Sequence, residues 1–139
     1  MPVRMSILIR RLPHLTPEEF HTYWSTSHAP LFLSIPIVQR NLTKYSQYHL
    51  DSALASQLRQ SGLPIAEYDG FAEFWAESYE DVLAVFQDEE YSRVVVPDEV
   101  KFLDREKAVM MVGWEEGKFE REVVGKGGDI FVEAAKAEA

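Results

Sequence analysis

The residues best suited to proton chemistry cluster in the first half of the chain. Phe20, Tyr23, Trp24 and His28 recur at helical spacing, so His28 lies four residues beyond Trp24 and eight beyond Phe20, at the end of an aromatic stripe. An imidazole there could protonate a carbanion-like carbon or remove a phenolic proton near neutral pH. Its plainer role would be to cap the helix end and order the following turn. Tyr45, Gln47 and His49 alternate with Ser46 and Tyr48, so the first three share one face of a strand. If that face looks toward the helices, they form a polar floor beneath Tyr23, Trp24 and His28, with Gln47 orienting a substrate carbonyl and His49 a second proton carrier. If it looks the other way, His49 and Gln47 serve hydrogen bonds across a subunit interface. Glu73 sits between Phe71 and Trp75 on a third strand, placed either for acid–base work beside an aromatic substrate or for pairing with Arg4 or Arg10.

Other chemistries are disfavoured. The 139 residues contain no cysteine, which excludes disulfides, thiolate metal sites and a thiol nucleophile. No two histidines stand four apart as on a zinc-binding helix; His14 falls in the loop after the first strand, and His21 is expected on the outer side of its helix. No glycine-rich phosphate loop and no Gly-x-Ser-x-Gly elbow is present, so nucleotide, flavin, metal and haem binding are not expected and no cofactor is implied. The net charge of −9 argues against nucleic acid, and no basic amphipathic or long apolar segment suggests a membrane. The acidity is concentrated: residues 1–65 are net +3, whereas residues 66–107 are net −9, which reads as a solvated helical face. The opening Met1-Pro2-Val3-Arg4 lacks a signal-peptide core, and the expected setting is cytoplasmic.

These side chains need a scaffold, and the patterning supplies one. Val3, Met5, Ile7 and Ile9 alternate with Arg4, Ser6, Leu8 and Arg10 in a first strand. Thr16-Pro17-Glu18-Glu19 begins a helix with a capping box and a proline in the first turn. Pro30 is expected to end that helix near His28 or Ala29, and Pro36 to keep the next stretch irregular. Further strands are expected over 44–50, 68–76 and 107–114, with a helical turn over 53–59, a helix capped by Ser78, and a short helix over 88–96 that stops before Pro97. The order β-α-β-β-α-β is the ferredoxin-like α+β pattern, with an antiparallel sheet covered by helices on one face only. An uncovered apolar sheet face usually finds a partner, and a homodimer is the economical expectation. Residues 1–116 form the domain; residues 117–139 read as a C-terminal arm or partly ordered tail, with a weak helix signal over 131–138.

The stretch Phe20-His21-Thr22-Tyr23-Trp24-Ser25-Thr26-Ser27-His28-Ala29-Pro30-Leu31 resembles the EthD family of dimeric α+β barrels. Tyr45-Ser46-Gln47-Tyr48-His49, Tyr68 through Trp75, and Asp98-Glu99 with Phe102-Leu103-Asp104 agree with it in the same order, so the resemblance spans about Ile7 to Trp114. More narrowly, Glu90 through Glu99 is similar to fungal EthD-domain proteins of aromatic polyketide pathways. That resemblance implies a cofactor-free decarboxylase or dehydratase acting on a small aromatic substrate, an anthrone- or anthraquinone-type carboxylic acid. It also brings in Asp98 as a substrate-binding candidate, with helix capping as its alternative, while Asp104 is expected to order the approach to the last strand. Related barrels oxidise quinols, cyclise polyketides or bind haem, so a cofactor-independent anthrone oxygenase and a non-catalytic binding protein for aromatic metabolites remain open beside the lyase.

Overall fold

A computed structural model of the chain describes residues 2–122. The elements run β1 (Val3–Ile9), α1 (Pro17–Tyr23), a π-helical segment (Trp24–His28), α2 (Ala29–Leu33), α3 (Pro36–Asn41), β2 (Leu42–His49), α4 (Ser52–Gln60), β3 (Gly70–Ala76), α5 (Tyr79–Gln87), a second π segment (Tyr91–Val95), α6 (Val96–Glu99), a short 3₁₀ turn (Arg105–Lys107) and β4 (Val109–Gly113). The strands form one antiparallel sheet in the order β2-β3-β1-β4, the ferredoxin-like arrangement. Among the described residues no helix is long and apolar enough to cross a membrane. Residues 117–122 carry neither helix nor strand, and the helix signal over 131–138 lies outside the described residues.

Local chemistry explains most of the boundaries. Thr16 accepts from the Glu19 backbone N–H while Glu19 reaches back to the Thr16 N–H, closing the capping box of α1. Asp51 caps α4 and Ser78 caps α5 in the same way, each accepting from a backbone N–H three residues on. The prolines behave differently from expectation. Pro30 does not end the first helix but sits in the opening turn of α2, and Pro36 starts α3 instead of keeping the chain irregular. Pro97 likewise lies inside α6, so the helix expected to stop before it continues through it. Pro36 follows an extended Ile35 and so opens a helix, where its missing N–H would have had no partner anyway, whereas Pro30 and Pro97 follow residues that are already helical.

The alternation of β1 resolves into two unlike faces. Val3, Met5, Ile7 and Ile9 point at the helices, and the register Met5↔Phe74 and Ile7↔Ala72 carries that face onto β3. Tyr45↔Phe74, Gln47↔Ala72 and His49↔Gly70 carry it onto β2, so this set looks toward the helices and not toward the open face. The core above the sheet is aromatic: Phe20, Trp24 and Phe102 are fully buried, with Phe32, Phe74 and Tyr91 packed beside them. Burying side chains of this kind contributes roughly 1.5–3 kcal/mol each.

The opposite face carries Arg4, Ser6, Leu8 and Arg10. There Glu73 is bound by Arg4 and accepts from the Ser6 hydroxyl at 3.2 Å. Arg4 also lies 3.1 Å from Glu115, whose other oxygen accepts from the Trp75 indole N–H at 3.2 Å, and Lys44 and Arg4 stack over the Trp75 ring. Of the two settings open to Glu73, the structure shows the ion pair with Arg4.

Gly70 shows how closely the first helix is seated. A Cβ there would come within 2.5 Å of the Trp24 ring and 2.7 Å of the Tyr48 carbonyl oxygen, a backbone atom that has little room to move. Gly70→Ala should therefore destabilise the fold by about 1–3 kcal/mol through overpacking. Urea unfolding of the two proteins checks this, and an unchanged midpoint would contradict the packing described.

Candidate functional site

The two π segments place the site. In the first, the Ala29 N–H donates to Trp24 O, five residues back; in the second, the Val96 N–H donates to Tyr91 O. One residue beyond each wide turn stands a proline, Pro30 or Pro97, whose ring would press on the preceding turn of a regular α-helix. Widening relieves that conflict and lets both helices continue, and π segments recur at functional sites for such reasons. His28 is consequently an interior residue of a continuing helix, only 6% exposed, and not a helix-end residue as the proline suggested.

Asp98 comes from α6 to meet it. Its Oδ2 lies 2.8 Å from His28 Nδ1, and its Oδ1 accepts from the Tyr23 hydroxyl, with Lys101 Nζ at 3.8 Å. Burial opposes ionisation of Asp98, but the hydrogen bonds from Tyr23 and His28, with the charges of His28 and Lys101, outweigh it and hold the carboxyl below its ordinary value. An ionised Asp98 can only accept, so the proton between the two groups belongs to His28 Nδ1. In the neutral ring Nε2 then carries the lone pair, and it makes no hydrogen bond among the described residues. Burial and the Asp98 carboxylate push the Tyr23 phenol up to about 12, so it remains a donor. Asp98 is thus neither the cap of a short helix nor a cavity-lining residue: it fixes the tautomer and orientation of His28.

His28 opens onto a cavity of about 490 Å³ between the helices and the sheet. Trp24, Phe32, Phe74 and Phe86 supply aromatic walls, and Tyr45, Tyr91, Glu99 and Arg105 bring polar groups to the lining. A largely apolar cavity with a few convergent polar atoms is the kind of space small molecules occupy. Tyr45 stacks on Phe74, with ring centroids 5.4 Å apart at 18°. Burial pushes its hydroxyl up to about 12, so it too stays protonated.

Behind Tyr45 runs a directed chain of hydrogen bonds. Gln47 Nε2 donates to the Tyr45 hydroxyl at 2.8 Å and to Trp24 O at 3.0 Å, which leaves Gln47 Oε1 to accept from His49 Nε2 at 3.0 Å. His49 Nδ1 must then accept, and His21 Nδ1 lies 2.7 Å away as its donor. Burial and the neighbouring His21 hold His49 below the usual imidazole range. The Tyr45 oxygen is occupied as an acceptor by Gln47, and the hydroxyl donates to no group among the described residues.

Of the residues singled out from sequence, the structure brings His28, Trp24 and Tyr45 to the cavity, and Tyr23 and Asp98 to the outer side of His28. Gln47 and His49 stand behind Tyr45, and Glu73 and Trp75 lie on the other face of the sheet, where alternation along β3 puts them once Phe74 faces inward. His21 packs against His49 and not outward, with ring centroids 4.8 Å apart. Asp104 accepts from the Glu106 N–H at 3.2 Å and caps the turn leading to β4. Sequence reading passed over Tyr91, Glu99 and Arg105. A helix expected to end before Pro97 separates Tyr91 from Glu99, whereas a helix running through the proline places them within a hydrogen bond of each other.

A one-sided ferredoxin-like domain with an aromatic cavity under its helices, and a buried histidine in the cavity wall backed by a carboxylate, places the chain among the small ferredoxin-like α+β proteins. The chain belongs to the EthD domain family, whose model matches residues 12–106. Among curated proteins it is similar to dehydratase ustZ of Ustilaginoidea virens, 26% identical over 79% of this chain and 81% of the relative, and to dehydratase CTB10 of Cercospora beticola, 25% identical over 78% and 86%. Similar solved structures are an EthD family protein from Bacillus halodurans (TM-score 0.57, 19% identity, 84% of this chain and 100% of the other) and a dimeric ferredoxin-like protein from Thermobifida fusca (0.54, 18%, 81% and 90%). The cofactor-independent oxygenase SnoaB of Streptomyces nogalater shares the fold at 7% identity (TM-score 0.55, 86% and 98%).

The Asp98 contacts make a prediction about stability. Because the folded carboxyl titrates below its ordinary 3.8, the stabilisation from ionised Asp98 is complete above that value and is lost as pH falls through the lower, folded one. Wild type should exceed Asp98→Asn in stability at neutral pH, with the gap closing only in the acid range below about 3.8. Urea unfolding across that range tests it, and a gap independent of pH would show that Asp98 is not held as a carboxylate.

Proposed function

We propose that the protein is a cofactor-independent lyase of aromatic polyketide tailoring that removes water from a hydroxylated, partly reduced aromatic ring system, using His28 as its proton carrier. The observation that carries this reading is the His28–Asp98 pair. A buried imidazole whose Nδ1 is committed to a carboxylate, and whose ring lines the cavity, is set to take a proton from carbon through its remaining nitrogen. Dehydration next to a ketone begins with that proton, and the charge that develops on the ketone oxygen would be met by the free O–H of Tyr45. The aromatic walls exclude water and favour a flat, fused-ring substrate. The names of the two fungal relatives support dehydration over the other lyase reaction, decarboxylation of an anthraquinone-type carboxylic acid. In decarboxylation the same imidazole, protonated, would deliver its proton to the ring carbon that bears the carboxylate.

The reading is tested anaerobically. Purified protein incubated with a hydroxylated dihydroanthraquinone should release product lighter by one water, as followed by mass spectrometry. His28→Ala should be slower by about 10²–10⁴-fold, the usual worth of a positioned proton carrier, and Asp98→Asn should lose less. Loss of carbon dioxide from the carboxylic acid instead would select decarboxylation. Conversion only in air would replace both with oxygenation, and tight binding without turnover would leave a binding protein.

The protein is further expected to work as a homodimer. β4 and its flank are exposed on both sides, with Met111 73% and Trp114 65% accessible, and the adjoining open sheet face presents Tyr48 and Phe71 as a tilted aromatic pair. Exposed apolar surface gathered along one edge strand and the adjoining sheet face is the pattern of an interface. Sedimentation should show a dimer at micromolar concentration that Met111→Glu converts to monomer; a monomeric wild type would count against it.

A further inference from the structure

Dehydration needs a second group. Once a base has removed the carbon-bound proton, the departing hydroxyl must leave as water, and hydroxide is a poor leaving group at neutral pH. His28 is committed to the first of these steps, and Tyr23 and Asp98 are turned away from the cavity to hold it.

Glu99 is the cavity carboxyl, and no step so far has used it. It adjoins Asp98 on α6, yet the two carboxyls serve different places. Asp98 backs His28 from outside, whereas Glu99 lies in the cavity lining with its side chain 14% exposed. Tyr91, buried on the second π segment, donates its hydroxyl to Glu99 Oε2 at 2.8 Å. Arg105, from the turn before β4, holds its Nε 3.3 Å from Oε1 while half its side chain remains in solvent. We propose that Glu99 is the catalytic acid of this site, which protonates the leaving hydroxyl of the substrate, and that Tyr91 and Arg105 are the residues that position it. The proposal rests on the dehydratase reading above.

The surroundings favour the neutral form of this carboxyl more than water does. Burial dominates and raises its pKa, and the charge of Asp98 adds to that. The Tyr91 hydrogen bond and the positive charges of Arg105 and His28 pull the other way without cancelling it. Tyr91 itself is pushed upward by burial and by Glu99, and Tyr45, facing the pair from β2, is also a neutral phenol; neither competes as an acid. A carboxyl present only to anchor Arg105 would gain little from this arrangement, since one half-exposed guanidinium nitrogen is a weak partner for a desolvated charge.

The reaction balances without any further reagent. His28 Nε2 takes the proton from the carbon next to the ketone, and the C–H electrons become the new C=C bond. The C–O bond breaks toward oxygen, which takes the Glu99 proton and departs as water. The site is left with an imidazolium and a carboxylate, and the proton returns from His28 to Glu99 through solvent.

A leaving group that needs no proton separates the acid from the base. With β-hydroxytetralone, which yields a naphthol on losing water, Glu99→Gln should slow elimination by about 10²-fold or more and abolish the fall in rate at alkaline pH. With the acetate ester of the same ketone the loss should be far smaller, whereas His28→Ala should lose both eliminations alike. Equal losses on hydroxyl and acetate in Glu99→Gln, or an unchanged alkaline limb, would overturn the assignment. A wild type that eliminates neither group would overturn the dehydratase reading instead. Stability then judges Glu99 separately. A raised folded pKa costs the wild type stability as pH rises from the ordinary 4.5 through the folded value, so Glu99→Gln should gain on wild type across that range. Parallel stability curves would show that Glu99 holds no proton and would remove it as the acid.

Discussion

Proline inside a helix is the constraint from which the site follows. Pro30 and Pro97 can neither donate a backbone hydrogen bond nor tolerate the regular turn before them, and each is met by a π segment that widens the helix by one residue. An extra residue per turn rotates everything downstream. The first widening lets the chain continue into α2 with His28 turned inward, and the second sends Asp98 to His28 while Glu99 lines the cavity. Trp24, at the start of the first wide turn, is also where helix and sheet are joined: its carbonyl oxygen accepts both the Ala29 N–H and the Gln47 amide, and its ring lies against Gly70.

The sheet contributes through parity alone. Once Met5 and Phe74 face the helices, the pairing register obliges Tyr45, Gln47 and His49 to face them as well, and sends Glu73 and Trp75 to the other side. Polar residues on the inner face of a buried strand must be satisfied, and Gln47 and His49 achieve this with His21 Nδ1 from α1 in a chain directed toward Tyr45, while His21 Nε2 is left without a partner among the described residues. The histidine pair at the far end is therefore a support for a phenol. The site's only imidazole in contact with the cavity is His28.

This division explains how far the sequence could be read. Alternation, capping boxes and turn residues are local, and so β1, α1, α5 and the β-α-β-β-α-β succession were legible, as was the inward position of His28 through its helical spacing from Trp24. The Tyr45-Gln47-His49 grouping was legible as a grouping, but its direction waited on which face of β1 was covered, a non-local fact. Glu73 shows the same ambiguity resolved the other way. The prolines were misread for a specific reason: the rule that a helix ends before proline holds for α geometry, and a π turn evades it. That single exception concealed both the continuation of the first helix past His28 and the hydrogen bond between Tyr91 and Glu99.

Adjacent acidic residues in one short helix would ordinarily repel and be exposed. Asp98 and Glu99 are both largely removed from water, and their environments separate them. Asp98 receives two strong donors and the neighbouring charges of His28 and Lys101, which hold it ionised. Glu99 receives one phenol and a half-exposed guanidinium against a larger burial cost, which raises it. Two carboxyls one residue apart are thereby given opposite tendencies, one to orient a base and the other to hold a proton. Divergent titration of neighbouring groups widens the pH range over which one site can present both forms. It requires that Asp98 and Glu99 point in different directions from the same turn, and α6 meets that requirement with Asp98 bound to Tyr23 and His28 and Glu99 bound to Tyr91.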